Sequence, residues 1–213
     1  MSPRIRLIVK VLLFAGLVAP AALAIFRTFT GIYVDPADAV ADITGIWTLR
    51  LLCLTLMVTP LRRLTGLNDL VTFRRMLGLF AFFYASLHFL TYIGLDLYFR
   101  FSILAEDIAE RPFITLGFTA FLLMIPLAVT STKGWIRRLG KRWTVLHRLV
   151  YVSAIGGLIH FIWKVKADTD FGEPLLYAAI LVILLGYRLL GGWSKRRGGR
   201  ARTGKATGIP EQV

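Results

Sequence analysis

The stretch Phe73–Leu95, FRRMLGLFAFFYASLHFLTYIGL, opens on two arginines and then stays free of charged residues to its end, with one histidine, His88, inside it. An uncharged apolar run of about 20 residues is what a helix needs to cross a hydrocarbon core. Read as a membrane span, the stretch sets the class of the whole chain, because 56% of the 213 residues are hydrophobic. Five more runs of the same kind are Leu7–Phe26, Ile43–Thr59, Phe113–Thr130, Leu146–Trp163 and Pro174–Gly192, and with Met76–Leu95 they predict an all-α integral membrane protein, a bundle of six transmembrane helices.

The connectors between these runs alternate in charge. Arg4, Arg6 and Lys10 lie at the N-terminus, Arg62, Arg63, Arg74 and Arg75 separate the second helix from the third, and Lys133, Arg137, Arg138, Lys141 and Arg142 separate the fourth from the fifth. The intervening connectors are acidic or mixed: Asp35, Asp38 and Asp42, then Asp96, Glu106, Asp107 and Glu110, then Asp168, Asp170 and Glu173. By the positive-inside rule both termini are expected in the cytoplasm. The formal charge of +14 is therefore topological, and no nucleic-acid motif accompanies it. Residues 1–192 are read as one transmembrane domain and residues 193–213 as a basic, disordered cytoplasmic tail attracted to anionic membrane lipid. The first helix also resembles a cleavable signal peptide, with APAALA as its small-residue run; retention is expected, since the helix carries the basic flank that orients the next one. No internal repeat and no glycine-rich nicotinamide-binding segment is evident. Cys53 is the single cysteine, so an intrachain disulfide or a cysteine-held iron–sulfur cluster is excluded.

His88, His147 and His160 are the three histidines. An ionisable residue inside a membrane span is costly and reads as functional, although a neutral histidine can also serve as an interhelical hydrogen-bonding group. At 1.5 Å per residue, His88 lies about 18 Å beyond Met76 and His160 about 21 Å beyond Leu146. The third and fifth helices run in the same direction, so these two imidazoles stand at matching depth near the outer face. Two imidazoles without a carboxylate or thiolate suit a metal already held in a macrocycle better than a bare zinc ion, which wants three or four protein ligands. A haem iron takes two axial ligands, and with both supplied by histidine it transfers electrons rather than binding substrate. His147 stands about 19 Å nearer the cytoplasm on an ideal helix and is turned about 140° from His160. Three roles stay open for it: ligand of a second haem, contact with a flavin, or cap of the helix end. Arg50, about 10 Å from the outer end of the second helix, is a candidate partner for haem propionates, with snorkelling to the surface as the alternative.

RRMLGLFAFFYASLHFLTY, RPFITLGFTAFLLMIPLAVTSTKGWIRRLGKRWTVLHRLVY and LIHFIWKVK together resemble the MsrQ (YedZ) family, the haem-binding membrane subunit of the bacterial protein-methionine-sulfoxide reductase system, within the ferric-reductase-like transmembrane superfamily. The resemblance runs from about Asp42 through the sixth helix. It implies haem b and FMN as cofactors, an inner-membrane location, and electron delivery to a periplasmic molybdopterin-containing subunit that reduces methionine sulfoxide in oxidised proteins. It carries the family's three haem-associated histidines onto His88, His147 and His160. It leaves the donor as either the quinone pool or a cytosolic flavin reductase. Arg74, Arg75, Lys141 and Arg142 are then candidates for FMN phosphate or donor docking, a role their topogenic function does not require. The rival readings are a stand-alone b-type cytochrome serving another acceptor, and a non-redox membrane anchor. A transporter is disfavoured because broken helices and midplane polar groups are not evident.

Overall fold

The computed structural model describes residues 1–165 and 171–205, with 191–205 described by backbone alone. The elements in order are α1 (Pro3–Phe29), α2 (Pro36–Thr65), α3 (Val71–Thr91) continuing into a π-helical turn at Tyr92–Asp96, α4 (Phe101–Glu110), α5 (Pro112–Val129), α6 (Lys133–Leu139), α7 (Lys141–Leu146), α8 (Leu149–Val165) and α9 (Gly172–Lys205). Among the described residues six segments are long and apolar enough to cross a membrane, and the protein is a multi-pass membrane protein. The helices outrun the apolar segments because their caps lie beyond them. Asp35 accepts from the Asp38 N–H at 3.1 Å with Pro36 at the first position of α2, and Gly66, in the left-handed conformation at φ 72°, ends it.

Four elements in the connectors and tail differ from the expectation. α4, α6 and α7 are short helices within connectors to which the sequence analysis assigned no helix. α9 continues as backbone to Lys205, past the boundary expected at residue 192. Asp168 and Asp170 of the third acidic connector, and residues 206–213 of the tail, lie outside the described residues.

α2 packs along α3, and α5 along α8; these two pairs form the core, with α1 and α9 on the outside. Both outer helices are tied to the core by a polar side chain near a proline. The buried Tyr84 hydroxyl donates to the Leu17 carbonyl at 2.7 Å and accepts from the Ala21 N–H at 3.1 Å, so it sits between an i, i+4 pair of α1 beside Pro20. On the other side, Arg188 of α9 donates to the Leu56 carbonyl at 2.8 Å and to the Tyr151 hydroxyl. Leu56 O would ordinarily accept from residue 60, but that residue is Pro60, which has no N–H.

The core contains a repeat that the sequence conceals. Ala41 and His88 are hydrogen-bonded across 47 residues, and Phe113 and His160 across 47 as well. Each member of the second pair follows its counterpart by 72 positions, and the same shift relates Gly45 to Gly117, Leu52 to Met124 and Phe89 to Phe161. The α2–α3 and α5–α8 pairs are thus equivalent halves facing one another. Few identical residues survive between them, which is why the repeat is invisible without the fold.

Candidate functional site

The first cavity, of about 330 Å³, opens between the start of α2, the end of α3, the start of α5 and the end of α8. His88 and His160 face each other in it with ring centroids 6.1 Å apart. Each ring is fixed the same way. The His88 Nδ1–H donates to the Ala41 carbonyl at 2.8 Å and the His160 Nδ1–H to the Phe113 carbonyl at 2.7 Å. A carbonyl can only accept, so Nδ1 carries the proton in both rings and Nε2 is the free nitrogen, the tautomer a metal-ligating histidine needs. Both accepting carbonyls lie four residues before a glycine. A Cβ at Gly117 would stand 2.7 Å from His160 Nδ1, and one at Gly45 would stand 3.2 Å from His88 Nδ1. The glycines therefore let the rings lie against the helices whose carbonyls hold them. Ala85, Phe89, Phe118 and Phe121 supply apolar walls.

A second cavity, of about 320 Å³, lies at the other end of the same core, and Leu52 and Met124 line both. His147 lines it beside Arg74, Arg75 and Trp143. The helix breaks between α7 and α8 at His147 and Arg148, so the ideal-helix placement of His147 does not apply. Its ring stacks on Trp143 at 3.8 Å, its Nδ1–H donates to the Trp143 carbonyl at 3.1 Å, and its buried Nε2 makes no well-formed hydrogen bond, although the Leu127 carbonyl lies close to the ring. Trp143 is itself held by Nε1 donating to the Thr130 carbonyl at 3.0 Å. The 72-residue repeat sets Arg75 opposite His147. The first cavity thus has a histidine pair, the second a histidine and an arginine. Among the described residues no three His, Cys, Asp or Glu side chains gather as a metal site.

The remaining candidates separate. Arg50 is not among the residues lining the histidine cavity: its Nε donates to the Tyr177 hydroxyl at 2.8 Å, and its Nη2 lies 3.7 Å from Glu173 on α9. On α2 it is turned about 140° from Gly45, which faces His88. Lys141 and Arg142 are exposed on α7 and do not line the second cavity. Lys164 and Arg111, which the sequence did not single out, are the cations that line the first cavity. Arg188 is a further intramembrane charge, inside the Pro174–Gly192 run, that sequence reading did not single out.

Residues 44–158 match the family described as ferric reductase like transmembrane component. The chain is 46% identical over 203 residues to a protein of Herminiimonas arsenicoxydans named protein-methionine-sulfoxide reductase heme-binding subunit MsrQ, covering 95% of this chain and 93% of that one. The chain belongs to the MsrQ family. Proteins of the same name from Ralstonia nicotianae and Xanthomonas campestris pv. campestris are 52% and 54% identical, over 78% and 76% of this chain and 76% and 74% of theirs. The ferric reductase match spans most of α2, all of α3 and α5, and α8 as far as Leu158, so the family resemblance coincides with the repeated four-helix core rather than with α1 or α9.

Proposed function

We propose that this MsrQ family member is the electron-transfer subunit of a protein-methionine-sulfoxide reductase system, holding a b-type haem between His88 and His160. The facing imidazoles carry the reading. The rings face each other with centroids 6.1 Å apart, a spacing that would let both histidines hold one iron between them. Both Nδ1 atoms are already committed to backbone carbonyls, and the walls are apolar, so the donor set fits a macrocycle-held iron. When bound, a haem with two axial histidines supplies a one-electron couple with no open coordination position. The protein fixes the ring orientations and keeps water from the metal's faces.

The second cavity is assigned to a second redox group, with FMN the one the family resemblance implies. Arg74 and Arg75 would meet its phosphate, and the buried His147 Nε2 is available to its ring. With the basic connectors inside, both termini are cytoplasmic and the protein resides in the bacterial inner membrane. The second cavity then faces the donor, a quinone or a cytosolic flavin reductase. The first faces a periplasmic molybdopterin-containing methionine-sulfoxide reductase, the acceptor in this reading.

The test is the visible spectrum of the detergent-purified protein, oxidised and dithionite-reduced, after expression with ample haem supply. A low-spin b-type spectrum is expected from the wild type. His88→Ala or His160→Ala should abolish it, because one remaining imidazole holds the iron weakly, whereas His147→Ala should leave it in place. An unchanged spectrum in either of the first two variants would remove the pair from the site.

A further inference from the structure

At the mouth of the first cavity the lining changes from apolar to ionic, and the change falls one helical turn beyond each histidine. Lys164 follows His160 by four residues and Tyr92 follows His88 by four, and the 72-residue repeat relates the two. Lys164 pairs with Asp42 and lies 3.7 Å from Asp38. The Tyr92 hydroxyl donates to Asp107, which also holds Arg111 at 3.1 Å. Two ion-paired cations, one on α8 and one at the start of α5, therefore stand on opposite sides of one rim.

A haem is apolar over its ring and carries two carboxylates along one edge. Seated between the histidines, that edge has to leave through the polar rim, because an unpaired carboxylate among the Phe and Leu side chains of the walls would be expensive. Among the described residues Lys164 and Arg111 are the cations lining this cavity, and Arg50 is bonded elsewhere. We propose that Lys164 and Arg111 receive the two haem carboxylates, with Asp42 and Asp107 occupying these cations when the haem is absent. This rests on the haem reading of the histidine pair. The acids place the cations: Asp42 draws Lys164, and the buried Asp107 draws the exposed Arg111, towards the rim rather than out into solvent.

The experiment compares ligands that differ only in this edge. Apoprotein from a haem-deficient host is titrated in detergent with iron protoporphyrin IX and with its dimethyl ester, which lacks both charges, and binding is followed by the Soret band. Wild type should prefer the free acid. Lys164→Met and Arg111→Met should each weaken free-acid binding by about tenfold, leave ester binding unchanged, and together erase the preference. Lys164→Arg and Arg111→Lys should restore most of it. Asp42→Asn should strengthen free-acid binding by removing a competitor. Equal losses for both ligands, or a fall on Asp42→Asn, would show that the ion pairs serve only to close the rim. No preference in wild type would overturn the proposal directly. Failure of wild type to bind either ligand would instead overturn the haem reading beneath it, and a His88→Ala control that loses both ligands separates that case from a defect at the rim.

Discussion

One methyl group is enough to probe the environment of His160. An added Cβ at Gly117 would approach the imidazole to 2.7 Å, closer than real Cβ contacts come, so the ring must move and its 2.7 Å bond to the Phe113 carbonyl is lost. At Gly45 the approach to His88 is 3.2 Å, which a small adjustment relieves. Gly117→Ala should therefore remove most of the bound haem and Gly45→Ala a smaller part, read as the Soret-to-protein absorbance ratio. Gly186→Ala, where nothing lies within 4 Å of the added carbon, should change neither. A larger loss for Gly45→Ala than for Gly117→Ala would mean that ring seating is not what the glycines provide. The histidines could be picked out from sequence because ionisable groups are rare in membrane spans. Their glycines could not, since glycine is common in such helices and only the fold shows which one faces a ring. For Arg50 the converse holds: depth was readable and helical face was not.

At the scale of the elements, the apolar spans were legible because a predominantly apolar run of about 20 residues with at most a single charge has few alternatives. The short helices α4, α6 and α7 were not, since polar connectors of that length read equally well as loops. The break at His147 was hidden for a related reason, as nothing in LHRL forbids a continuous helix. Prolines within the spans were equally silent about their consequences. Pro60 leaves the Leu56 carbonyl without a helical donor, and the Arg188 guanidinium supplies one from α9. Arg188→Met would strand that carbonyl and the Tyr151 hydroxyl, at a cost of about 1–3 kcal/mol. The expected result is a lower thermal midpoint in detergent. Pro60→Ala restores an N–H to α2, so the double variant should regain part of the loss relative to Arg188→Met alone. Strict additivity of the two changes would break the link between the proline and the arginine.

For the molecule as a whole, the repeat explains why one core has two unlike cavities: equivalent helix pairs put histidine opposite histidine at one end and arginine opposite histidine at the other. Sequence showed three histidines at two depths but not this relation, because it lies in backbone equivalence rather than residue identity. The ends also differ in charge. Asp38, Asp42 and Asp96 line the histidine-pair cavity, while Arg74 and Arg75 line the other, and the proposed orientation, first cavity outside and second inside, rests on this asymmetry. Electrons should then leave past the His88–His160 end to an external acceptor. Exposed acids at this end include Asp96, Glu106 and Glu110 beside Asp35, Asp38 and Asp42; Asp107 is buried against Tyr92 and Arg111 and is not one of them. Docking of this kind mainly raises the association rate and is screened by salt, with a Debye length of about 10 Å at 0.1 M. The chain would be reduced in right-side-out and in inverted vesicles, with a molybdopterin methionine-sulfoxide reductase and a methionine-sulfoxide substrate added outside, and reoxidation of the haem band followed. Right-side-out vesicles should turn over, more slowly as ionic strength rises. A Glu106→Gln/Glu110→Gln variant should be slower at low salt and converge with wild type at high salt. Turnover confined to inverted vesicles would reverse the inferred orientation and remove the external acceptor, since the acidic rim would then face the cytoplasm.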